Sequence, residues 1–217
     1  SLPIEQKQKL ARLANQYQVP MIEDDVYIEL SHQGKPPLPA KYWDKEGYIV
    51  WCGSFSKTLA AGLRLGWCLP GRYLADYIKQ HTLTRFGVNA LMQLSLAEFI
   101  NSGEYRSHVN RIRQLLSMQI YAYRAFLMAN LTADVKISVP EGGVVLWLQI
   151  PGINALMLES DANKQEVDIR SGISFSTHDA YLDCIRINCG WPLNQSEDKS
   201  SAYQQLTRLC QLIKAAR

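Results

Sequence analysis

At 217 residues, with 47% hydrophobic and 20% charged side chains, the chain has the composition of an ordinary folded protein and enough length for one large or two modest cores. A net charge of +3 is too small to argue for nucleic acid or membrane as a partner of these residues, no apolar run approaches the ~18 residues of a membrane span, and no signal peptide is visible. The five cysteines (52, 68, 184, 189 and 210) are odd in number, include no Cys-x-x-Cys and lie mostly in apolar runs, so buried reduced thiols and a cytoplasmic location are expected.

The chain opens at Ser1, without Met, on what reads as a helix start: Ser1 as cap, Pro3 in the first turn, Glu5 near the amino end. A chain that starts in mid-architecture is expected to be a portion of a longer one. The helix predicted over 3–17 places Ile4, Leu10, Leu13, Ala14 and Tyr17 on one apolar face. A buried strand is predicted over 19–22, running into the acidic run Glu23-Asp24-Asp25-Val26-Tyr27. Residues 31–45, with Pro36, Pro37 and Pro39, form a loop. A second apolar strand over 48–52 then fits a parallel α/β sheet.

That second strand delivers the segment around which the chain is organised, Ser54-Phe55-Ser56-Lys57-Thr58, followed by Gly62-Leu63-Arg64-Leu65-Gly66-Trp67. Open α/β sheets bind ligands at the carboxyl ends of their strands. Two serine hydroxyls and an arginine fork suit a phosphate, and a partly desolvated lysine forms an imine with an aldehyde. Pyridoxal phosphate carries both groups. The acidic run has three readings: solvated turn charges or a cap, a magnesium or calcium site, or an anionic partner for a pyridine nitrogen. No second acidic cluster lies near it in sequence to support a metal. In the third reading Asp24 pairs with the ring nitrogen and Tyr27, three residues on, donates to the ring's phenolic oxygen. Asp25 competes for the nitrogen role.

Further along, a strand is predicted over 65–69 and helices over 71–83 and 87–100. A helix of unusual length follows over 104–131, bearing His108, Arg111 and Arg113 on its early turns; these read as a solvated basic face rather than a nucleic-acid footprint. The pattern then changes to short strands, over 135–139, 144–150, 167–169, 173–175 and 184–188, with helices over 153–163 and 196–215, an α+β layer. Arg186 sits inside the apolar strand 184–188. Burying an unpaired charge is costly, so it is either a structural salt bridge, an edge residue, or a fork for a substrate carboxylate.

Taken together, Glu23-Asp24-Asp25-x-Tyr27, Ser54-x-Ser56-Lys57 and Gly62-Leu63-Arg64-Leu65-Gly66-Trp67 resemble the second half of a fold type I, pyridoxal-phosphate-dependent aminotransferase. The resemblance implies an α/β fold: residues 1–103 as the remainder of a cofactor-binding large domain, 104–131 as a connecting helix, and 132–217 as a small α+β carboxy-terminal domain. It implies that Lys57 is the Schiff-base lysine, that Asp24 partners the pyridinium nitrogen, that Tyr27 contacts the phenolic oxygen, that Ser54, Ser56 and Arg64 hold the phosphate, and that Arg186 receives the substrate α-carboxylate. The wording Arg186-Ile187-Asn188-Cys189-Gly190 resembles one subgroup, the MocR-type regulators, in which such a domain follows a GntR-type winged helix; Trp191 departs from the histidine expected there. The expectation is therefore an effector-sensing domain of a transcription regulator, homodimeric in its complete form, with DNA contacted only by a domain absent from these residues. The rival is a free-standing aminotransferase acting on an amino acid and a 2-oxo acid; a scaffold without cofactor is the third possibility. Upstream of Ser1 the resemblance calls for a phosphate loop, a ring-stacking aromatic and an asparagine to the ring oxygen.

Overall fold

The computed structural model describes residues 2–84, 87–178, 180–194, 197–198 and 200–217. The chain divides into two compact units, Ser1–Arg113 and Gln114–Arg217, and the division falls inside one long helix.

The first unit begins with α1 (Ile4–Tyr17) and β1 (Met21–Asp24). β2 (Ile49–Ser54) and β3 (Gly66–Leu69) follow, then α2 (Leu74–Thr84), α3 (Ala90–Asn101) and the first turns of α4 (Glu104–Asn130). Its sheet has the order β1-β2-β3, with β1 parallel to β2, as expected, and β3 antiparallel. Ala11, Ala14, Ala40, Tyr48 and Ile49 form its core, with Met21, Trp43 and Tyr73 packed against them.

Two expectations for α1 need correction. Ser1 lies outside the described residues, and the N-cap is Pro3, with no side-chain cap. The predicted apolar face is only partly right: Ala14 is buried and Leu10 half-buried. Ile4, Leu13 and Tyr17 are exposed, while Lys7, Ala11 and Ala14 are buried. Small alanines admit a close approach to the strand layer. The Lys7 ammonium is satisfied there by the Leu38 carbonyl (3.1 Å) and the Glu23 carboxylate (3.6 Å), which makes its burial tolerable. Likewise β1 is not a buried strand: it alternates, and Ile22 is 74% exposed.

The entry to β2 is fixed by Asp44. Its Oδ1 accepts from the Gly47 and Tyr48 amides (2.9 and 3.0 Å), and its Oδ2 accepts from the Ile49 amide (2.7 Å) and the Lys41 ammonium (2.9 Å). Burial pushes this carboxyl up, but the Ile49 amide, Lys41 and the Tyr48 amide outweigh it, so its pKa lies below the ordinary value.

The second unit contains the remainder of α4, β4 (Lys136–Ile137), β5 (Val145–Gln149), α5 (Ala155–Lys164), β6 (Ile169–Ser171), β7 (Cys184–Asn188) and α6 (Ala202–Ala215). The sheet order is β4-β5-β7-β6, antiparallel throughout. Alternation sends Leu146, Leu148, Ile185, Ile187 and Ile169 into a core closed by Leu127, Leu158, Leu206, Leu209 and Ile213. The strand expected over 173–175 is instead a 3-10 turn, Gly172–Phe175. Gly172 passes so close to Tyr181 that a Cβ would meet the Tyr181 oxygen at 2.5 Å, and the backbone turns away from the sheet there. The closing helix starts later than expected, at Ala202, capped by Ser201 Oγ accepting from the Gln204 amide; Ser196, its expected start, lies outside the described residues. Cys184, Cys189 and Cys210 are buried free thiols, while Cys52 and Cys68 are half-buried. Among the described residues no helix is long and apolar enough to cross a membrane.

Candidate active site

β1 and β2 pair with Asp24 opposite Cys52, and β2 and β3 pair with Ser54 opposite Gly66. Directly paired residues share a face, and alternate residues on one strand do too. Asp24, Cys52, Ser54 and Cys68 therefore lie on one face, and Glu23, Trp51, Gly53 and Trp67 on the other. This separates the two aspartates. Asp25, one residue beyond Asp24, turns to the second face and accepts from the Trp51 indole nitrogen at 2.8 Å. Burial raises its pKa, and the Trp51 hydrogen bond only partly offsets that. Asp24 is exposed, and among the described residues it accepts no hydrogen bond and joins no ion pair. It is the carboxylate available to a cation from outside.

After β1 the chain makes a tight turn, the Ile28 amide donating to the Asp25 carbonyl (3.0 Å), which carries Tyr27 outward. The Lys57 ammonium lies 5.8 Å from the centre of the Tyr27 ring. Lys57 sits in the turn after β2, where the Ser56 amide donates to Ser54 Oγ (3.1 Å) and the two serine hydroxyls are 3.0 Å apart. Arg64 closes this segment in the left-handed region, at φ 52°. A non-glycine residue pays of order 1 kcal/mol there. Immediately after it the chain must pass under β2: a Cβ on Gly66 would meet the Gly53 oxygen at 2.7 Å. Among the described residues the Arg64 guanidinium makes no ion pair, while the Ser54 and Ser56 hydroxyls bond each other and Ser54 Oγ reaches the Leu65 carbonyl (3.3 Å); two hydroxyls and a guanidinium are donors of the kind a phosphate dianion takes up. A free carboxylate on the same face suits a protonated ring nitrogen.

Beneath this turn, Thr58, Tyr105 and Glu29, which sequence reasoning did not single out, meet His108 and Arg113. Thr58, next to Lys57, is buried. The Tyr105 phenol, from the first turn of α4, donates to Glu29 Oε2 and lies 3.0 Å from Thr58 Oγ1. Burial, then the Glu29 hydrogen bond, pushes the Tyr105 pKa well above the ordinary phenol value. His108 reaches the Thr58 carbonyl at 2.8 Å; a carbonyl only accepts, so Nε2 carries the proton. Arg113 donates to the carbonyls of Glu29 (2.8 Å) and Gly34. The basic face expected to be solvated is thus largely engaged; of His108, Arg111 and Arg113, only Arg111 is exposed.

In the second unit, Arg186 projects from the face of the sheet opposite the core. Its guanidinium carbon lies 4.7 Å from the centre of the Phe175 ring. Phe175 in turn meets Trp147 edge-on, and Trp147 meets Tyr181 edge-on. Arg186 is flanked across the sheet by Trp147 and Arg170. Arg170 pairs with Asp168 (2.6 Å) and Glu159 (3.7 Å). Arg186 has no carboxylate partner among the described residues, so the salt-bridge alternative finds no counter-ion. Two guanidiniums side by side, one of them uncompensated, favour an incoming anion.

The chain shares the fold of solved aminotransferases over about half of their length. The chain belongs to the aminotransferase class I and II family, whose model matches residues 1–198. Among solved structures it is similar to the Pyrococcus horikoshii kynurenine aminotransferase, with a TM-score of 0.85 and 27% identity over 99% of this chain and 52% of that one. Among curated proteins it is 35% identical to the uncharacterized HTH-type transcriptional regulator YdcR of Escherichia coli, over 97% of this chain and 45% of the relative. It is 29% identical to aromatic-amino-acid aminotransferase 1 of Thermococcus litoralis, over 84% of this chain and 44% of the relative. The chain thus spans less than half the length of these curated relatives.

Proposed function

We propose that this chain binds pyridoxal 5'-phosphate and an amino acid, as the effector-sensing part of a longer MocR/GntR-type transcription regulator. The observation that carries the cofactor reading is the unpartnered Asp24 carboxylate, on the same sheet face as Ser54 and at the strand end that carries the Lys57 turn. The regulator reading is supported by the similarity to HTH-type regulators, extending over nearly all of this chain.

Pyridoxal phosphate supplies an aldehyde that condenses with amines and a ring that withdraws electrons from the carbon beside the nitrogen. The residues divide the remaining work. Ser54, Ser56 and Arg64 bind the phosphate. Asp24 keeps a proton on the ring nitrogen, and Tyr27 donates to the phenolic oxygen. Lys57 would be the residue that holds the aldehyde, and its amine would be the base within reach of a proton on the bound amino acid. Arg186 binds the amino acid's carboxylate through its two-pronged fork. In a regulator, binding itself is the signal, and it shifts the balance between conformations. A cytoplasmic homodimer is part of this proposal, as is DNA contact through a domain outside these residues.

The second reading, a free-standing aminotransferase, is favoured by the similarity to the Thermococcus litoralis enzyme. The test begins with an absorbance spectrum of the full-length protein after adding pyridoxal phosphate, then borohydride reduction and mass mapping. A covalent mark at Lys57, lost in Lys57→Ala, is expected; no mark would end the cofactor reading. Amino-acid-dependent change in DNA binding without turnover of a 2-oxo acid would favour the regulator. Steady turnover with no effect on DNA would favour the enzyme.

A further inference from the structure

The residues around Thr58 belong to three separate stretches of sequence, yet they meet at one buried phenol. Glu29 follows Tyr27 on the turn after β1. Thr58 follows Lys57 on the turn after β2. Tyr105 comes from α4, as do His108, which holds the Thr58 carbonyl, and Arg113, which holds the Glu29 carbonyl. One helix therefore grips the backbone and side chains of both segments that bear the proposed cofactor contacts, without offering a group to the cofactor itself. The edge contacts of Phe55 and Phe99 with the Tyr105 ring close the phenol in.

We propose that Tyr105 is a positioning residue: it sets the Lys57 turn and the Tyr27 turn in fixed relation by sharing its hydroxyl between Thr58 and Glu29. This role rests on the reading of Lys57 as the cofactor-binding lysine. The neighbours of the phenol make any other role for it difficult. Its proton is committed to a carboxylate, its oxygen faces the threonine hydroxyl, and burial keeps it neutral, so it is not a proton donor to solvent or substrate. The ionisable side chains around it are Glu29, Arg113 and His108, and all three are held by hydrogen bonds. What remains for it is geometry. Lys57 is the residue next to Thr58, and its amine sits at the end of a flexible chain. A turn that is free to shift by a fraction of an ångström would spread that amine over several orientations.

The experiment uses the full-length protein loaded with pyridoxal phosphate, in wild type, Tyr105→Phe, Thr58→Val and Thr58→Ser. Borohydride marking at Lys57 in wild type is the first readout. Visible circular dichroism at equal absorbance is the second, because it reports how the bound cofactor is oriented rather than how much is bound. The third is the rate at which an added primary amine, ethylamine, displaces Lys57. Tyr105→Phe and Thr58→Val are each expected to lower the visible dichroism and to slow the displacement by about tenfold to a hundredfold, as small misplacements do. The double variant should be no worse than the more affected single one, since both remove the same contact. Thr58→Ser keeps the hydroxyl and should behave as wild type. If Lys57 is marked but neither Tyr105→Phe nor Thr58→Val changes dichroism or rate, the positioning role is overturned while the cofactor reading stands. If Thr58→Ser is as impaired as Thr58→Val, the hydroxyl is not what matters and the proposal also falls. If wild type is not marked at Lys57, the cofactor reading fails and takes this one with it. Should Tyr105→Phe fail to fold, Thr58→Val and Thr58→Ser carry the comparison alone.

Discussion

The two units solve the burial problem differently. In the second, a four-stranded sheet closes against α4, α5 and α6, and large side chains such as Leu127, Leu148, Leu158, Ile185 and Leu209 are almost wholly removed from water. In the first, the core is small and rich in alanine, and among the described residues α2 and α3 bury no side chain. Leu83, Leu91 and Leu94 are each more than 65% exposed. The unit that carries the proposed cofactor lysine is thus held less by apolar burial than by polar knots: Asp44 at the start of β2, Lys7 with Glu23 beneath β1, and Tyr105 under the Lys57 turn. Within these residues, the site geometry therefore rests on polar contacts more than on large buried side chains.

The strongest way to break this comparison is a pair of truncations followed by denaturant unfolding of this chain. Leu127→Ala is expected to cost about 2–5 kcal/mol, the range for deleting a fully buried leucine side chain. Leu94→Ala should stay within about 0.5 kcal/mol, as exposed positions do. Equal losses would mean that α3 is packed, and the contrast would disappear.

Next in size is Asp44→Ala, which strands three backbone amides without their acceptor and leaves the Lys41 ammonium with the Ile49 carbonyl (2.6 Å) but no counter-ion. A loss of about 3 kcal/mol is expected for so many unsatisfied groups, read from the same unfolding curves. The acid limb gives a second check. Because the folded pKa of Asp44 is depressed, its contribution is complete above about pH 4, the unfolded carboxylate value. It is lost as pH falls through the lower folded value. Asp44→Asn should therefore flatten part of the stability-against-pH slope on the acid side; an unchanged slope would deny the carboxylate that role.

The smallest expected effect sharpens the picture of Arg186. Phe175→Leu removes the ring beneath the guanidinium and should cost about 0.5–1 kcal/mol, the size of a partly exposed cation–π contact. If amino-acid affinity in the full-length protein does not change as well, the ring supports the fold rather than the anion site.

What was legible in the sequence follows the same division. β7 was expected over 184–188 and is found at Cys184–Asn188, and the long helix expected over 104–131 runs Glu104–Asn130. Both have strong local patterns, and neither depends on a distant partner for its identity. α1 was misread because its buried face consists of two alanines and a lysine, and no hydrophobicity pattern marks a lysine as interior. The strand expected over 173–175 is instead a 3-10 turn, and the close approach of Gly172 to Tyr181, nine residues on, is a contact that no alternation of side chains marks. In the site, the spacing of Asp24 to Tyr27 and of Ser54 to Lys57 was readable because each set lies within one segment. Preference for Asp24 over Asp25 came from the family pattern; the alternation of β1 supports it independently, since Asp25 is turned to Trp51. Thr58, Glu29, Tyr105 and Phe175 carried no local signal, as each acquires its role only from residues brought to it by the fold.

The indole pair behind the site has a practical consequence. Trp51 and Trp67 meet edge-on, with ring centres 4.5 Å apart, on the face of β2 and β3 opposite Ser54, and the Trp51 nitrogen is held by Asp25. Two chromophores so close exchange excitation, and parting the strands abolishes that exchange. The sheet end that bears Lys57 therefore carries its own fluorescent reporter, and its opening can be followed in real time without attaching a dye.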